Sequence, residues 1–411
     1  MRWRQGVAVA KLALLRALLK VTPAFNHAVV TGFPDDEGNS VEMVRSLSSR
    51  LPVYWLTSDD PAAVHWLLPQ TEPQFPIRRL RKDSLPAYLA YLTARFVFFT
   101  HGLYGSPPPP RHKAFVNLWH GDGPKRSKRF AYIRSTYAVA GTQTWGRQRP
   151  VYFGVREEGV LVTGNPRIDQ FARPTGDEAL RTLGVDPQTR LVLWMPTYRR
   201  TEYRGRRLAG VRNWADAHEL SEVEAVRRLF EKVGRAAVDR GISLVVKPHP
   251  LDADHYASLG LQVITGEDLG RARTTVYELL GRSHGLITDY SSVWTDYLAM
   301  DRPIGLHCPD IEEYEETRGL NVDNYRDLVP GPFLQTLEDF ERFLDDCLTE
   351  SSESRDQRAR SVEAVGAETR LGAGERLLEA LSITRPAEEL QARPASPAGG
   401  VVSRMIGTGR R

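Results

Sequence analysis

Short apolar runs punctuate the chain, each separated from the next by a stretch of helical periodicity or by a polar loop. In the N-terminal half they fall at Ala28–Thr31, Val53–Leu56, Phe96–Phe99, Phe115–Trp119, Tyr137–Ala140 and Val160–Val162. Helices are predicted between them at Ser40–Ser49 and Leu85–Ala94. Runs that are apolar at every position, without polar alternation, suit strands of a parallel sheet covered on both faces. The pattern then restarts. Strands are predicted at Leu191–Trp194, Ser243–Val246, Val263–Thr265, Gly285–Thr288 and Ile304–Leu306, with helices at Ser221–Arg240, Val276–Gly281 and Trp294–Met300. Two successive βαβ sets predict an α/β chain with two doubly wound, Rossmann-like units facing a cleft.

Length agrees with that count, because 411 residues exceed one ordinary core and suit two units of roughly 150–200 residues. Pro, Gly and Asp collect at Arg173–Pro187 and mark the boundary. The expected organisation is an N-terminal helix over 1–25, a first unit over 26–180, a second over 181–382, and a disordered Pro/Ala/Gly/Arg-rich tail over 383–411. The opening segment interleaves Arg2, Arg4, Lys11, Arg16 and Lys20 with Leu12, Leu14, Leu15, Leu18 and Leu19. Lys11 and Arg16 interrupt the apolar stretch a secretory leader needs. It reads instead as a basic amphipathic helix, lying either on an anionic membrane face or on the protein itself.

Charge adds a preference for anionic partners: 55 Lys and Arg against 51 Asp and Glu give a net +4. Zinc-finger, helix-turn-helix and RNP-type motifs are lacking, so no nucleic-acid partner is expected. Cys308 and Cys347 are too far apart to form a CxxC metal site and read as small buried hydrophobes. Asp252-Ala253-Asp254 has the form of a metal-binding DxD but reads as a solvated helix start. No metal ligands or cofactor are assigned, and divalent-cation dependence stays open.

In open α/β sheets ligands bind beyond the carboxyl ends of strands. Five segments sit there. Asn117-Leu118-Trp119-His120-Gly121-Asp122-Gly123-Pro124-Lys125-Arg126 sets a histidine between a strand end and two glycines, with cations following. That combination supplies a base of near-neutral pKa and donors for developing phosphate charge. Thr163-Gly164-Asn165-Pro166-Arg167-Ile168-Asp169 presents an arginine from a turn. Pro196-Thr197-Tyr198-Arg199-Arg200 offers a hydroxyl and a guanidinium fork. Lys247-Pro248-His249-Pro250 holds a histidine between two prolines. Thr288-Asp289-Tyr290-Ser291-Ser292 opens a helix that also carries Asp296. Taken singly, each has a bland alternative: a structural histidine, a charged loop, an N-cap.

In this order the five segments resemble the CDP-glycerol glycerophosphotransferase family of teichoic acid synthesis, over about Ala28 to Leu348. Tyr314, Arg318-Gly319 and Pro330-Gly331-Pro332 resemble that family's C-terminal pattern. The chain departs from it at Asn117, where Gln is more usual, and at Asp122-Gly123-Pro124, where Thr-Pro-Leu is usual. Those departures bear on acceptor or polyol specificity rather than on reaction class. The resemblance implies a GT-B arrangement and transfer of a polyol phosphate, with glycerol phosphate the first expectation. The donor would be a CDP-polyol, the acceptor a lipid-linked polyol-phosphate polymer at the cytoplasmic membrane face, and CMP would leave. It implies His120 as general base and His249 on the diphosphate. Gly121, Asp122, Gly123, Lys125, Arg167, Thr197, Arg199, Lys247, Ser291 and Ser292 would bind substrate, and Asp296 would lie at the cytidine end. The rivals are a CDP-ribitol or other CDP-polyol transferase, a nucleotide-sugar glycosyltransferase or epimerase on the same architecture, and an inactive membrane-bound scaffold.

Overall fold

The computed structural model describes residues 2–384 except 59–62, 69–72, 127–129, 131, 198–201, 204–205, 208–219, 250–251 and 318. The expected tail and Arg199 therefore lie outside the described residues, the tail except for its first two positions. Seven parallel strands form the first sheet: β1 (Phe25–Thr31), β2 (Val53–Thr57), β3 (Ile77–Arg81), β4 (Ala94–Phe99), β5 (Ala114–Asn117), β6 (Tyr137–Ala140) and β7 (Val160–Val162). Their spatial order is β3-β2-β1-β4-β5-β6-β7. After β8 (Arg190–Trp194) come two short antiparallel strands, β9 (Glu202–Tyr203) and β10 (Arg206–Arg207). The second parallel sheet has the order β12-β11-β8-β13-β14, adding β11 (Ile242–Val246), β12 (Gln262–Val263), β13 (Gly285–Thr288) and β14 (Ile304–Leu306).

Both sheets reverse direction beside their first strand, between β1 and β4 and between β8 and β13. Those are the topological switch points where loops diverge and leave a crevice. The strands read from apolar runs are present with ends shifted by at most a few residues. The Ile77–Arg81 strand has no apolar run to announce it, because three of its five residues are arginines. It is an edge strand, where outward charge is tolerated and guards against further pairing.

Each sheet is covered on both faces, as its apolar strands require. One face of the first sheet packs Val30, Trp55 and Phe98 against Val41, Val44 and Leu47 of the helix Gly38–Leu47. Leu377 and Leu378 of the helix Ala373–Ala380 join that same core, so the chain returns to the first sheet after completing the second. The other face packs Val97 and Phe99 against Tyr91 and against Leu15 and Leu19 of the first helix, Arg2–Val21. Leu14, Leu18 and Val21 of that helix are exposed. Among the described residues no helix is long and apolar enough to cross a membrane. The second sheet is sandwiched by the helices Leu220–Asp239 and Leu337–Leu348 on one face. On the other, Trp294, Tyr297 and Tyr277 meet Trp145, Ile168 and Phe171 from the first half. Cys308 and Cys347 are both buried, unbridged thiols.

Candidate active site

The loop after β5 carries the site. Asn117 Oδ1 accepts from the Trp119 N–H (3.0 Å), and Trp119 takes a positive φ of 53°. That turn delivers His120 to the cleft. Gly121 follows at φ 143°, a region L side chains avoid. A Cβ there would lie 2.4 Å from Ser292 Oγ and 2.7 Å from an Arg167 nitrogen, and one on Gly123 would lie 3.0 Å from Ser292 Cβ. The two glycines therefore let the loop from the first sheet lie directly on the Ser291-Ser292 turn that ends β13.

Asn321 staples the same loop from the other side. Its Nδ2 donates to the carbonyls of Gly123 (3.1 Å) and Lys125 (3.2 Å), and its N–H donates to Pro124 O (2.7 Å). The Trp145 indole N–H donates to Asn321 Oδ1 (3.0 Å). A cavity of about 130 Å³ opens beside His120, lined by Trp119, Gly121, Gly123, Lys125, Ser292 and Asn321 together with the aromatic rings of Phe130, Tyr152 and Phe153.

His120 stacks flat on His101, with ring centroids 4.5 Å apart and planes 5° apart, and packs against Trp119. Neither of its ring nitrogens has a hydrogen-bond partner among the described residues. One part of the ring is open to the cleft, yet protein crowds the remainder. That desolvation, with His101, Arg167, Arg149 and Lys125 nearby, holds its pKa well below the ordinary imidazole value. His249 follows β11 and is also exposed. Its pKa is lowered by desolvation and by Lys247 and Lys125, against the pull of Asp252. Lys125 thus acts on both histidines. Lys247, half-buried, has its pKa lowered by burial against the attraction of Asp36 from the loop after β1, so that loop faces the second sheet.

Four residues expected to touch substrate are instead committed inside the protein. Asp122 is fully buried. Its Oδ2 accepts from Gly141 N (2.7 Å), Thr142 N (2.8 Å) and Thr142 Oγ1 (3.1 Å), and its Oδ1 pairs with Arg149. Burial pushes that carboxyl up and the guanidinium down, each opposed by the other's charge. The departure at Asp122 therefore builds the wall behind His120 and does not face the cleft. Thr197 spends its N–H (2.8 Å) and hydroxyl (2.5 Å) on the Asp289 carboxylate. Arg167 donates through Nε (2.9 Å) and Nη2 (2.5 Å) to Asp296, and through Nη1 to His120 O (2.7 Å). Asp296 also accepts from Asn165 Nδ2 (2.8 Å) and Tyr277 OH (2.6 Å), which leaves it facing the joint between the sheets.

Sequence reasoning gave no role to three further participants. Glu37 caps the helix Gly38–Leu47 by accepting from Ser40 N (3.0 Å), and its other oxygen lies 3.6 Å from Arg167. Burial raises its pKa to about 7 even against the Arg167 charge. Asp169 accepts from the N–H groups of Gly372 (2.6 Å), Ala373 (2.8 Å) and Gly374 (2.8 Å), anchoring the returning helix. His101 directly follows Thr100 at the end of β4, so the strand-end rule applied to the other segments would have found it. Among the described residues no group of three or more His, Cys, Asp or Glu is placed to hold a metal ion.

Gly121, Gly123, Lys125, Ser291, Ser292 and His120 are thus brought together at the joint of the two sheets, with Lys247 and His249 at the neighbouring strand end. A family model described as CDP-glycerol:poly(glycerophosphate) glycerophosphotransferase matches residues 32–381. The chain is 24% identical to the teichoic acid glycerol-phosphate primase of Bacillus subtilis (strain 168), over 53% of this chain and 55% of that protein. It is 27% identical to the teichoic acid ribitol-phosphate primase of Bacillus spizizenii, over 55% and 59%. The chain therefore spans a little over half the length of these relatives. Among solved structures, the wall teichoic acid polymerase TagF aligns over 95% of this chain and 97% of that one, at a TM-score of 0.66 and 17% identity, which is a likeness of fold. A histidine-to-asparagine variant of TagF soaked with CDPG aligns with a TM-score of 0.63 at 16% identity, over 96% of this chain and 100% of that one.

Proposed function

Because the chain belongs to the CDP-glycerol:poly(glycerophosphate) glycerophosphotransferase family, we propose that it transfers a polyol phosphate, glycerol phosphate first, from a CDP-polyol to a hydroxyl of a lipid-linked acceptor. The observation that carries this is the apposition of the Trp119-His120-Gly121 loop to the Ser291-Ser292 turn, with cations on both strand ends.

In this reading residues 26–180, joined by the returning helix Ala373–Ala380, form the acceptor side of a GT-B cleft and the rest of 181–382 the CDP side. His120, uncharged at neutral pH, takes the proton of the acceptor hydroxyl. The acceptor oxygen forms a bond to the β-phosphorus of the donor. The bond from that phosphorus to the bridging oxygen breaks, and CMP leaves with the electron pair. His249, Lys247, Lys125, Ser291 and Ser292 bind the diphosphate and offset charge as it shifts toward CMP. Binding an anionic donor among these cations raises the proton affinity of His120 when the proton must move. Arg167, Asp296, Asp122 and Thr197 act one layer back, by holding the loops in register. A cavity of about 130 Å³ suits a polyol-sized acceptor end beside His120 and is far too small for the nucleotide, which requires the open cleft. The exposed Leu14, Leu18 and Val21, beside Arg16 and Lys20, suit contact with an anionic membrane face.

The test is CMP release from a panel of CDP-glycerol, CDP-ribitol and sugar nucleotides, with a lipid-linked acceptor, with and without EDTA. Acceptor-dependent CMP release from CDP-glycerol supports the reading. Preference for CDP-ribitol moves the polyol assignment, and turnover of a sugar nucleotide alone overturns it.

A further inference from the structure

His101 is used by nothing so far described, and its surroundings are specific. The Thr100 hydroxyl, fully buried, accepts from Phe33 N–H (3.1 Å) and lies 2.9 Å from His101 Nδ1. Its hydrogen has no other acceptor among the described residues. Donation to Nδ1 is the arrangement that leaves no buried donor unmatched. That makes Nδ1 the acceptor and leaves the proton on Nε2, a neutral ring of fixed tautomer. The Phe33 ring meets His101 edge-on at 5.6 Å and Trp119 leans on it at 5.8 Å, so its plane is held from two sides. His120 lies flat against it.

We propose that His101 is a positioning residue for transfer: its neutral ring, locked by Thr100, Phe33 and Trp119, fixes the plane of His120 so that a ring nitrogen meets the acceptor hydroxyl. The inference rests on the reading of His120 as the base. Two stacked imidazoles at this separation cannot both carry charge cheaply, so a neutral His101 is the state in which His120 can accept a proton. The charged groups facing the pair agree. Lys82, itself paired with Asp35 (3.3 Å), faces His101 and works with burial to keep it neutral. Arg167 and Arg149 face His120 from two other elements and Lys125 from its own loop, and the carboxylates beside those arginines, Asp296 and Glu37 at Arg167 and Asp122 at Arg149, are turned toward them.

The test compares His101→Ala, which removes the ring, with His101→Phe, which keeps a ring and removes the titrating group. Acceptor-dependent CMP release is measured across pH, beside titration of the His120 imidazole by NMR without substrates. His101→Ala should lower kcat roughly tenfold or more with little change in KM for CDP-glycerol. His101→Phe should recover the larger part of that loss at pH 8. In acid, where both rings compete for protons, the neighbouring imidazole holds His120 down, so in both variants its titration, and the acid limb of kcat/KM, should move to higher pH than in the wild type. A His101→Ala enzyme with wild-type kcat, or variants whose His120 titration coincides with the wild type, would overturn the proposal. His120→Ala run in the same assay separates the two ideas: wild-type turnover there refutes the base assignment, while the imidazole titration still reports on the pair.

Discussion

Replacing Asp296 by asparagine keeps the shape of the joint between the sheets and removes one charge. Arg167 is almost wholly buried, and two of its nitrogens donate to Asp296 Oδ2 at 2.9 and 2.5 Å. Burial works against its charge, and Asp296, Tyr277 and Glu37 more than offset this. An uncompensated buried charge costs about 3–5 kcal/mol. Part of that returns through Glu37, 3.6 Å from Arg167 and titrating near 7, which would ionise more readily once Asp296 is neutral. The expected loss is therefore about 3 kcal/mol at pH 6, shrinking toward pH 8 as Glu37 takes over as counter-ion. Urea unfolding followed by tryptophan fluorescence is a direct reporter, because the Trp145 and Trp294 rings meet across this joint 5.8 Å apart. Asp345→Asn, which breaks the solvent-exposed pair with Arg240, is the control and should cost under about 1 kcal/mol. If Asp296→Asn is no more destabilising than that control at pH 6, Arg167 does not depend on Asp296 and the buried joint is misread.

Glu37 holds a proton in the folded state up to about pH 7 and in the unfolded chain only to about 4.5, so its contribution is fully present below 4.5 and lost as pH rises through 7. Glu37→Gln should therefore gain stability relative to the wild type between pH 5 and pH 8, by up to about 3 kcal/mol, read from paired unfolding curves at the two pH values. A Gly121→Ala side chain would lie 2.4 Å from Ser292 Oγ at a φ of 143°. It should lower kcat/KM on the order of a hundredfold and cost about 1–3 kcal/mol of stability, and a variant with wild-type rate would show that the loop need not rest on the Ser292 turn. Because the base acts when neutral and its pKa is held well below 6.5, kcat/KM should stay level from pH 8 down past 6.5 and fall only below it. An acid limb at or above 6.5 would contradict that environment.

The strands were legible wherever burial on both faces made them apolar throughout, and the restart of the βαβ pattern marked the second sheet. Ile77–Arg81 was not, because an edge strand keeps polar side chains. The helix Leu337–Leu348 carries a readable signal in the sequence, Phe340, Phe343, Leu344 and Cys347 at helical spacing behind a Thr336/Asp339 capping box. At the site, the strand-end rule located His120, His249 and the Ser291-Ser292 turn. It could not separate residues facing the cleft from residues building its walls. Asp122, Arg167, Thr197 and Asp296 have the residue types of phosphate or ribose contacts, and only their buried partners Arg149, Asp289 and Tyr277, distant in sequence, reveal the difference. The return of Leu377 and Leu378 to the first sheet was equally hidden, since it depends on Asp169 capping a helix 203 to 205 residues away.

In this reading two histidines at the joint of the sheets carry a CDP-dependent phosphoryl transfer. Single-turnover transfer of radiolabelled glycerol phosphate from CDP-glycerol to a lipid-linked acceptor tests it most directly, in the wild type, His120→Ala and His249→Ala. Both histidines open on the cleft, so both variants should remain folded, His120→Ala melting slightly lower for its lost stacking on His101 and Trp119, while losing roughly 10²–10⁴-fold in transfer rate. Transfer at the wild-type rate in either folded variant would contradict the account.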